Sequence, residues 1–471
     1  MKRNRNAKIV ATLGPATSSA TNISELFEAG VDVFRMNFSH GSHEEHRSRY
    51  EIIRNLEKTF NRGVGVLLDL QGPKLRVGKF FGGKAVLKKG QRFRLDMNSA
   101  PGDAERIELP HSEIFSALKT NMTILLDDGR INLKVLNSDE ISAETEVVVG
   151  GKISDHKGVN VPSALLDVGP FTEKDREDLI FGLDLGVEWI GLSFVQRVED
   201  IIEAQKLCAG RAAIMAKLEK PAAINQLESI VDLCDAIMVA RGDLGVEMDI
   251  EGVPVIQRQI IQSCRKAGKP VIVATQMLES MVNKPTPTRA EASDVATAIY
   301  NGADAVMLSA ESAIGEYPVE SVRMMDRIIC RVEQDPQFWT ARENERRDPE
   351  NTASDAITAA ARQVAETISA VAVVTFSSTG STTLRAARER PYVPILGLTP
   401  RSDTARKMSL TWGVHSVQTE DIHAFREMVT KAIAMSKEEG FAKAGDSIVI
   451  TAGVPFGTPG ATNILRIAWV E

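Results

Sequence analysis

Two carboxylates in this sequence each stand two positions beyond a cation, in Lys217-Leu218-Glu219 and Arg241-Gly242-Asp243. Side chains alternate along a strand, so at a strand end each cation shares a face with its carboxylate. A Glu and an Asp converging from adjacent strands form a site of the kind magnesium uses, with waters and substrate oxygens completing its shell. Other apolar runs end in similar residues. Arg35-Met36-Asn37-Phe38-Ser39-His40 puts Arg35, Asn37 and Ser39 on one face, and Asp69 leads into Gln71-Gly72-Pro73-Lys74-Leu75-Arg76. Thr275-Gln276 and Ser309-Ala310-Glu311 close two more. A metal ringed by Arg35, Arg76, Lys217 and Arg241 suits a substrate with several negative charges. One such charge is usually a helix cap or a surface ion pair. A whole set of them left desolvated without purpose is much harder to sustain.

The elements that must present these residues are short, continuous apolar runs: Lys8–Leu13, Val31–Met36, Val64–Leu68, Trp189–Phe194, Ala212–Ala216, Ala236–Ala240, Val271–Ala274 and Ala305–Leu308. Continuous rather than alternating hydrophobicity marks strands buried on both faces. Amphipathic helices such as Asn22–Ala29, Asp200–Leu207 and Val255–Lys266 lie between them. Eight strand–helix units predict a (β/α)8 TIM barrel, whose functional residues sit at the C-terminal ends of its strands.

The rhythm breaks after the third run. Residues 71–168 hold alternating short strands (Lys84–Lys88, Arg92–Asp96, Thr123–Leu126, Glu144–Val149) and turn signals at Phe81-Gly82-Gly83 and Asp127-Asp128-Gly129. This predicts an inserted all-β domain placed to act as a lid. The barrel is then expected at 1–70 and 169–345. After a charged, apolar-poor stretch from Arg331 to Glu350, an Ala-rich helix near Ser354 opens a C-terminal α/β domain at 346–471.

The bulk properties set limits. A length of 471 residues calls for several domains, and 43% hydrophobic with 25% charged residues is a globular composition. The net charge of −7 argues against a nucleic-acid surface. No long uncharged apolar stretch predicts a membrane span. Cys208, Cys234, Cys264 and Cys330 are scattered and form no C-x-x-C pair, as expected of reduced thiols in the cytoplasm.

Lys8 to Pro15, Arg35 to Gly41, Ala236 to Glu247, Ala274 to Met281, Pro287 to Glu291 and Ala303 to Glu311 resemble the signatures of the pyruvate kinase family. The resemblance spans the barrel, the inserted lid and the C-terminal domain, in that order. It implies transfer of the phosphoryl group of phosphoenolpyruvate to ADP, with Mg2+ (or Mn2+) held by Glu219 and Asp243. Lys217 is similar to the lysine that stabilises the phosphoryl group in flight, and Arg35 to the residue holding the substrate phosphate. Gly242, Asp243 and Thr275 would meet the rest of phosphoenolpyruvate. Asn37, Phe38, Ser39, His40, Arg76 and, from the lid, Lys157 resemble nucleotide contacts. Thr275, Ser309 and Glu311 would serve the proton path to carbon. A homotetramer is implied as well.

The family's potassium site corresponds to Asn37, Ser39, Asp69 and the backbone of Leu70. Potassium-dependent members carry threonine at Leu70 and glutamate at Lys74. The built-in ammonium of Lys74 predicts activity without potassium, as in bacterial members with the same features.

The remaining motifs carry less. His40, His43 and His46 have a metal-like spacing, but a helix only starts there, so solvated histidines with His40 near the nucleotide are expected. Arg241-Gly242-Asp243 spells an adhesion tripeptide at a buried strand end and means nothing as such. Ser377-Ser378-Thr379-Gly380-Ser381-Thr382, between a strand and a helix, is a phosphate cradle without the lysine of a nucleotide P-loop. Pyruvate kinases bind a phosphorylated effector at this place, so an allosteric site is expected. Two rivals stand beside this reading: a magnesium-dependent pyruvate or enolate lyase (aldolase), and a catalytically silent sensor. The lyase needs neither a nucleotide site nor a lid bearing Lys157, and a silent relative should have lost one of the key residues.

Overall fold

The computed structural model describes residues 2–162, 164–345, 349–455 and 460–471. Eight parallel strands close into a barrel: β1 (Lys8–Leu13), β2 (Val33–Asn37), β3 (Gly65–Asp69), β4 (Trp189–Leu192), β5 (Ala213–Leu218), β6 (Ala236–Ala240), β7 (Val271–Ala274) and β8 (Ala305–Leu308). Each pairs with its sequence neighbours, and β8 returns to β1 with Lys8 opposite Ala305. β1, β3 and β5 are buried at every position, because helices cover the outside while side chains fill the inside. The inner layer includes Val10, Val33, Leu67, Trp189, Met215, Met238, Ile272 and Met307, and Leu410 of the C-terminal domain completes it. Ser42 with Glu45, Thr172 with Asp175 and Thr288 with Glu291 form capping boxes that start the outer helices.

Between β3 and β4 the chain builds a six-stranded sheet in the order Val159–Asn160, Thr123–Leu126, Ile131–Ser138, Ser142–Val149, Arg92–Asp96, Arg106–Glu108. A separate ribbon pairs Lys84–Leu87 with Gly151–Ser154. Phe93, Leu95, Ile124, Leu133 and Val147 give this region its own core. Beyond the barrel, β9 (Ala372–Phe376), β10 (Ile395–Thr399), β11 (Val414–Gln418), β12 (Ser447–Gly453) and β13 (Thr462–Trp469) form a sheet in the order β11-β10-β9-β12-β13, with only the β12–β13 pair antiparallel.

Most of the described residues in the charged stretch from Arg331 to Glu350 are helical. Pro318–Glu333 runs into it, and Pro336–Asn344 follows, started by Asp335, whose carboxylate accepts from Gln337 N, and by Pro336 at the first helical position.

At the N-terminal end of the barrel lies a fourfold arrangement. Asp32, Glu188, Asp235 and Asp304 immediately precede β2, β4, β6 and β8, and each accepts a backbone N–H from the strand before its own. The donors are Ile9 (3.0 Å), Val66 (2.9 Å), Ile214 (2.9 Å) and Val271 (3.1 Å). Each carboxylate also meets a cation: Arg5 and Arg62 for Asp32, Arg54 for Glu188, Lys407 for Asp235 and Arg390 for Asp304. Lys407 and Arg390 come from the C-terminal domain, which these charges help to seat.

Candidate active site

The opposite end, the mouth, collects the residues singled out above. Arg35 on β2 donates to Asp69 Oδ2 at 2.6 Å and to Thr12 Oγ1 at 3.0 Å. Lys217 on β5 lies 3.1 Å from Asp69 Oδ1 and 3.0 Å from Glu219 Oε1, and donates to Ser193 Oγ at 2.6 Å. Glu219 is 1% exposed and accepts from Phe194 N at 2.7 Å. Arg35, Asp69, Lys217 and Glu219 thus form one buried chain of alternating charge.

Burial works against the Lys217 charge, but Asp69 and Glu219 outweigh it and hold its pKa well above the usual lysine value. Burial likewise opposes ionisation of Asp69, yet Lys217 and Arg35 pull it below the usual carboxylate range. Glu219 goes the other way. Burial first, with Asp243 adding to it against Lys217, raises it to about 7.

Asp243 lines the cleft between barrel and lid and makes no hydrogen bond or ion pair with any described residue. One buried carboxylate made reluctant to ionise, beside a second without a protein partner, is a donor set that a divalent cation satisfies. No cluster of three or more His, Cys, Asp or Glu among the described residues offers a richer metal site.

Arg241 does not share a strand face with Asp243. β6 stops at Ala240, and Arg241–Glu247 is a helix, on which residues two apart diverge. Arg241 turns to Asp294 at 2.6 Å and to the Thr275 carbonyl at 2.7 Å, and so braces the β7 loop. Thr275 and Gln276 hold φ of +67° and +55°, strained values for side chains with a Cβ. The strain aims Thr275 Oγ1 to accept from Gly242 N at 2.8 Å while it donates to the Ala274 carbonyl at 2.6 Å.

Glu311 is fully buried and accepts from Ser309 N at 2.8 Å and Leu278 N at 3.0 Å. Ser309 Oγ is buried with no partner among the described residues.

The other expected residues spread around this centre. Asn37 Oδ1 accepts from Ser39 N at 3.1 Å, and the Leu70 carbonyl accepts from Ser193 Oγ at 2.7 Å. Lys74 is exposed on the lid cleft beside Asp128, Gly158 and Asn160, whereas both oxygens of Asp69 go to Arg35 and Lys217. Arg76 donates to the His156 carbonyl at 2.8 Å, and Lys157 pairs with Asp127 at 2.7 Å. The Phe38 side chain is 2% exposed and stacks on His46 with ring centroids 4.0 Å apart. His46 is therefore not solvated. It is 1% exposed, and burial pushes its pKa down to about 4. His43 stacks on Phe181 and meets Asp178 at 2.7 Å, so the three histidines do not converge.

Ser193, Thr12 and a lid latch escaped the sequence reading. In the latch, Glu247 Oε1 meets Lys220 Nζ at 2.5 Å and accepts from Asn160 Nδ2, on the lid, at 2.6 Å. Thr12 and Ser193 had a signal, since they lie in the two apolar runs, Lys8–Leu13 and Trp189–Phe194, to which no functional residue was given. The latch had none, because its three members are far apart in sequence.

Comparison with known proteins agrees with this geometry. The family model for the pyruvate kinase barrel domain matches residues 4–322, and that for the pyruvate kinase alpha/beta domain matches 355–468. A pyruvate kinase of Methylorubrum extorquens is 53% identical over 100% of this chain and 98% of its own length. One of Agrobacterium vitis is 49% identical over 99% of each. The crystal structure of a pyruvate kinase from Cryptosporidium parvum superposes with a TM-score of 0.93 at 32% identity, covering 99% of this chain and 97% of that one. On the strength of its sequence, its fold and the charges gathered at its barrel mouth, this chain belongs to the pyruvate kinase family.

Proposed function

We propose that the barrel mouth transfers the phosphoryl group of phosphoenolpyruvate to ADP, giving ATP and pyruvate. The observation that carries this reading is the buried Arg35–Asp69–Lys217–Glu219 chain next to the unpaired Asp243. In the reaction a β-phosphate oxygen of ADP bonds phosphorus as the bond from phosphorus to the enol oxygen breaks. The enol oxygen keeps the electron pair, and the methylene carbon takes a proton. Such transfer asks the protein for positioning and fixed positive charge more than for covalent chemistry. Arg35 and Lys217 supply that charge from side chains locked by Asp69, so little reorganisation is needed. Glu219 and Asp243 would hold Mg2+ or Mn2+, which supplies Lewis-acid charge against the substrate's oxygens. Gly242 and Thr275 take the carboxylate end, which draws the Gly242 N–H from Thr275 and the Thr275 hydroxyl from the Ala274 carbonyl. Ser309, held by Glu311, stands on the proton path. Asn37, Ser39, His40, Arg76 and Lys157 receive the nucleotide, with Phe38 packed on His46 beside them.

The segment 71–168 acts as the lid over the 1–70 and 169–345 barrel, and the Asn160–Glu247 contact supports that role. In the domain at 346–471, Gly380 at φ +87° opens the helix Ser381–Arg388, and Ser377, Ser378, Thr379 and Thr382 line a cleft with Pro400 and Thr419. These features support a phosphorylated effector there. Independence from potassium is supported by the saturation of Asp69 and the engaged oxygens of Asn37 and Leu70. A cytoplasmic homotetramer fits the family and the four free cysteines. No helix among the described residues is long and apolar enough to cross a membrane.

The test is pyruvate formation from phosphoenolpyruvate and ADP with magnesium, in sodium buffer free of potassium. Full turnover supports both the kinase and its independence. Turnover only after potassium is added keeps the kinase and removes the independence, and silence in both conditions overturns the reading.

A further inference from the structure

Far from the mouth, a cavity of about 310 Å3 opens where three parts of the chain meet. The barrel helix Val253–Ala267 brings Arg265, the connecting helix Pro336–Asn344 brings Arg342 with Glu345 just beyond it, and the C-terminal domain brings Arg362, Arg388 and Glu389. Four guanidiniums therefore line one space with the carboxylates of Glu345 and Glu389, while Glu343, Glu350, Asp355 and Glu366 pair with Arg362 and Arg388 from behind it. Arg342 is 3% exposed and Arg362 7%, so these are not solvated surface charges.

The pairing is uneven: Arg362 has both Glu343 and Glu366, and Arg342 also donates to the Tyr300 carbonyl. Arg265 and Arg342 share the single carboxylate of Glu345. Arg388 turns towards Asp355, with Glu350 and Glu389 farther off at 3.4 and 3.6 Å. Among the described residues, Nε of Arg265 and Nε of Arg342 are buried with no acceptor. Nη1 of Arg342 and Nε of Arg362 lie 3.0 Å from Glu345 and Glu366, but outside hydrogen-bonding angles. Burial, reinforced by the neighbouring Arg265, pushes the Arg342 pKa down to about 9. Buried N–H donors are normally matched, and guanidinium forks match oxyanions best.

We propose that this cavity binds a small multivalent oxyanion, phosphate or a phosphomonoester, through Arg265, Arg342 and Arg388. It shares no lining residue with the barrel mouth or with the Ser377–Thr382 loop, although Arg388 also lines the neighbouring cavity that reaches Thr379. An anion held by a residue from each of the three parts favours the arrangement in which they converge, and so couples the seating of the C-terminal domain to the barrel.

The test is calorimetric titration of the full-length protein with inorganic phosphate and, separately, glycerol 3-phosphate, at constant ionic strength. Arg265→Gln, whose parent side chain is partly exposed, should weaken this binding at least tenfold while leaving pyruvate formation and the far-ultraviolet spectrum in place. Glu345→Gln removes the competing carboxylate and should tighten it several-fold. The Ser377→Ala/Ser378→Ala/Thr379→Ala variant should retain it. Tighter binding of glycerol 3-phosphate identifies a phosphomonoester as occupant, and preference for phosphate identifies the free anion. Unchanged titrations in Arg265→Gln, or weaker binding in Glu345→Gln, overturn the proposal and leave an ion-pair network that only fastens the domains.

Discussion

At the floor of the barrel, Asp32, Glu188, Asp235 and Asp304 stand just before strands; at the mouth, Glu219 and Asp243 stand just after them. Both ends bury carboxylates beside arginines and lysines. Each floor carboxylate has a backbone N–H and a cation, so the charges close on one another. The mouth stays open. Among the described residues the Asp243 carboxylate has no hydrogen-bond or ion-pair partner, and Ser309 Oγ and Glu247 Oε2 are buried without one. Carboxylates held inside a fold are normally paired, so one left without a partner marks where a cation can bind. Burial and charge are common to both ends, and among the described residues guanidinium nitrogens of Arg54 and Arg390 lack partners at the floor as well. What separates the ends is that every floor carboxylate is paired, whereas the Asp243 carboxylate at the mouth is not.

The comparison can be broken most sharply at Lys217. Lys217→Met should cut turnover by a factor on the order of a thousand or more while phosphoenolpyruvate binding changes little, as for a charge used mainly in the transition state. Steady-state kinetics with a separate equilibrium binding measurement decides it, and weakened binding with turnover kept would assign Lys217 to ground-state binding instead.

A floor change should do the reverse. Asp32→Ala leaves Arg5 and Arg62 without their shared counter-charge, at a cost of about 3–5 kcal/mol in unfolding free energy. Urea unfolding reads the loss, and the folded fraction should keep its kcat. A kcat that fell as far as stability did would erase the distinction between the ends.

The latch gives a smaller effect. Asn160→Ala removes the lid's hold on Glu247 and leaves Lys220 in place. The KM for ADP should rise several-fold with kcat nearly constant. An unchanged KM would make the contact incidental to lid closure.

The floor should also show a pH slope. Lys8 is 2% exposed and donates to the Val414 carbonyl at 2.7 Å. Burial, with Arg62 and Arg5 against Asp32, lowers its pKa from 10.5 to about 7. Between these values the unfolded chain binds a proton that the folded chain does not, so stability rises with pH across that window. The slope is at most about 1.4 kcal/mol per pH unit. Unfolding free energies from pH 7 to 10 should lose this component in Lys8→Met, and parallel profiles would show that Lys8 stays charged when folded.

Much of this molecule was legible in its sequence. Lys8–Leu13, Ala236–Ala240, Val271–Ala274 and Ala305–Leu308 are strands at the bounds their composition marks, because a continuous apolar run between turns has few other stable fates in a barrel. Glu219, Lys217, Arg35 and Asp69 converge as their positions at strand ends require. The tertiary structure decided the rest. Arg241 leaves the strand because Asp294, distant in sequence, holds a short helix that local propensity would not support alone. Thr275 takes a left-handed backbone that nothing in its neighbours announces. The partners of Glu247 and the guanidiniums around Arg342 come from separate segments, so their meeting was invisible along the chain. Local patterning determined which strands form and which residues stand at their ends. Whether a buried charge finds its partner depends on contacts between distant segments, and only the folded chain fixes those.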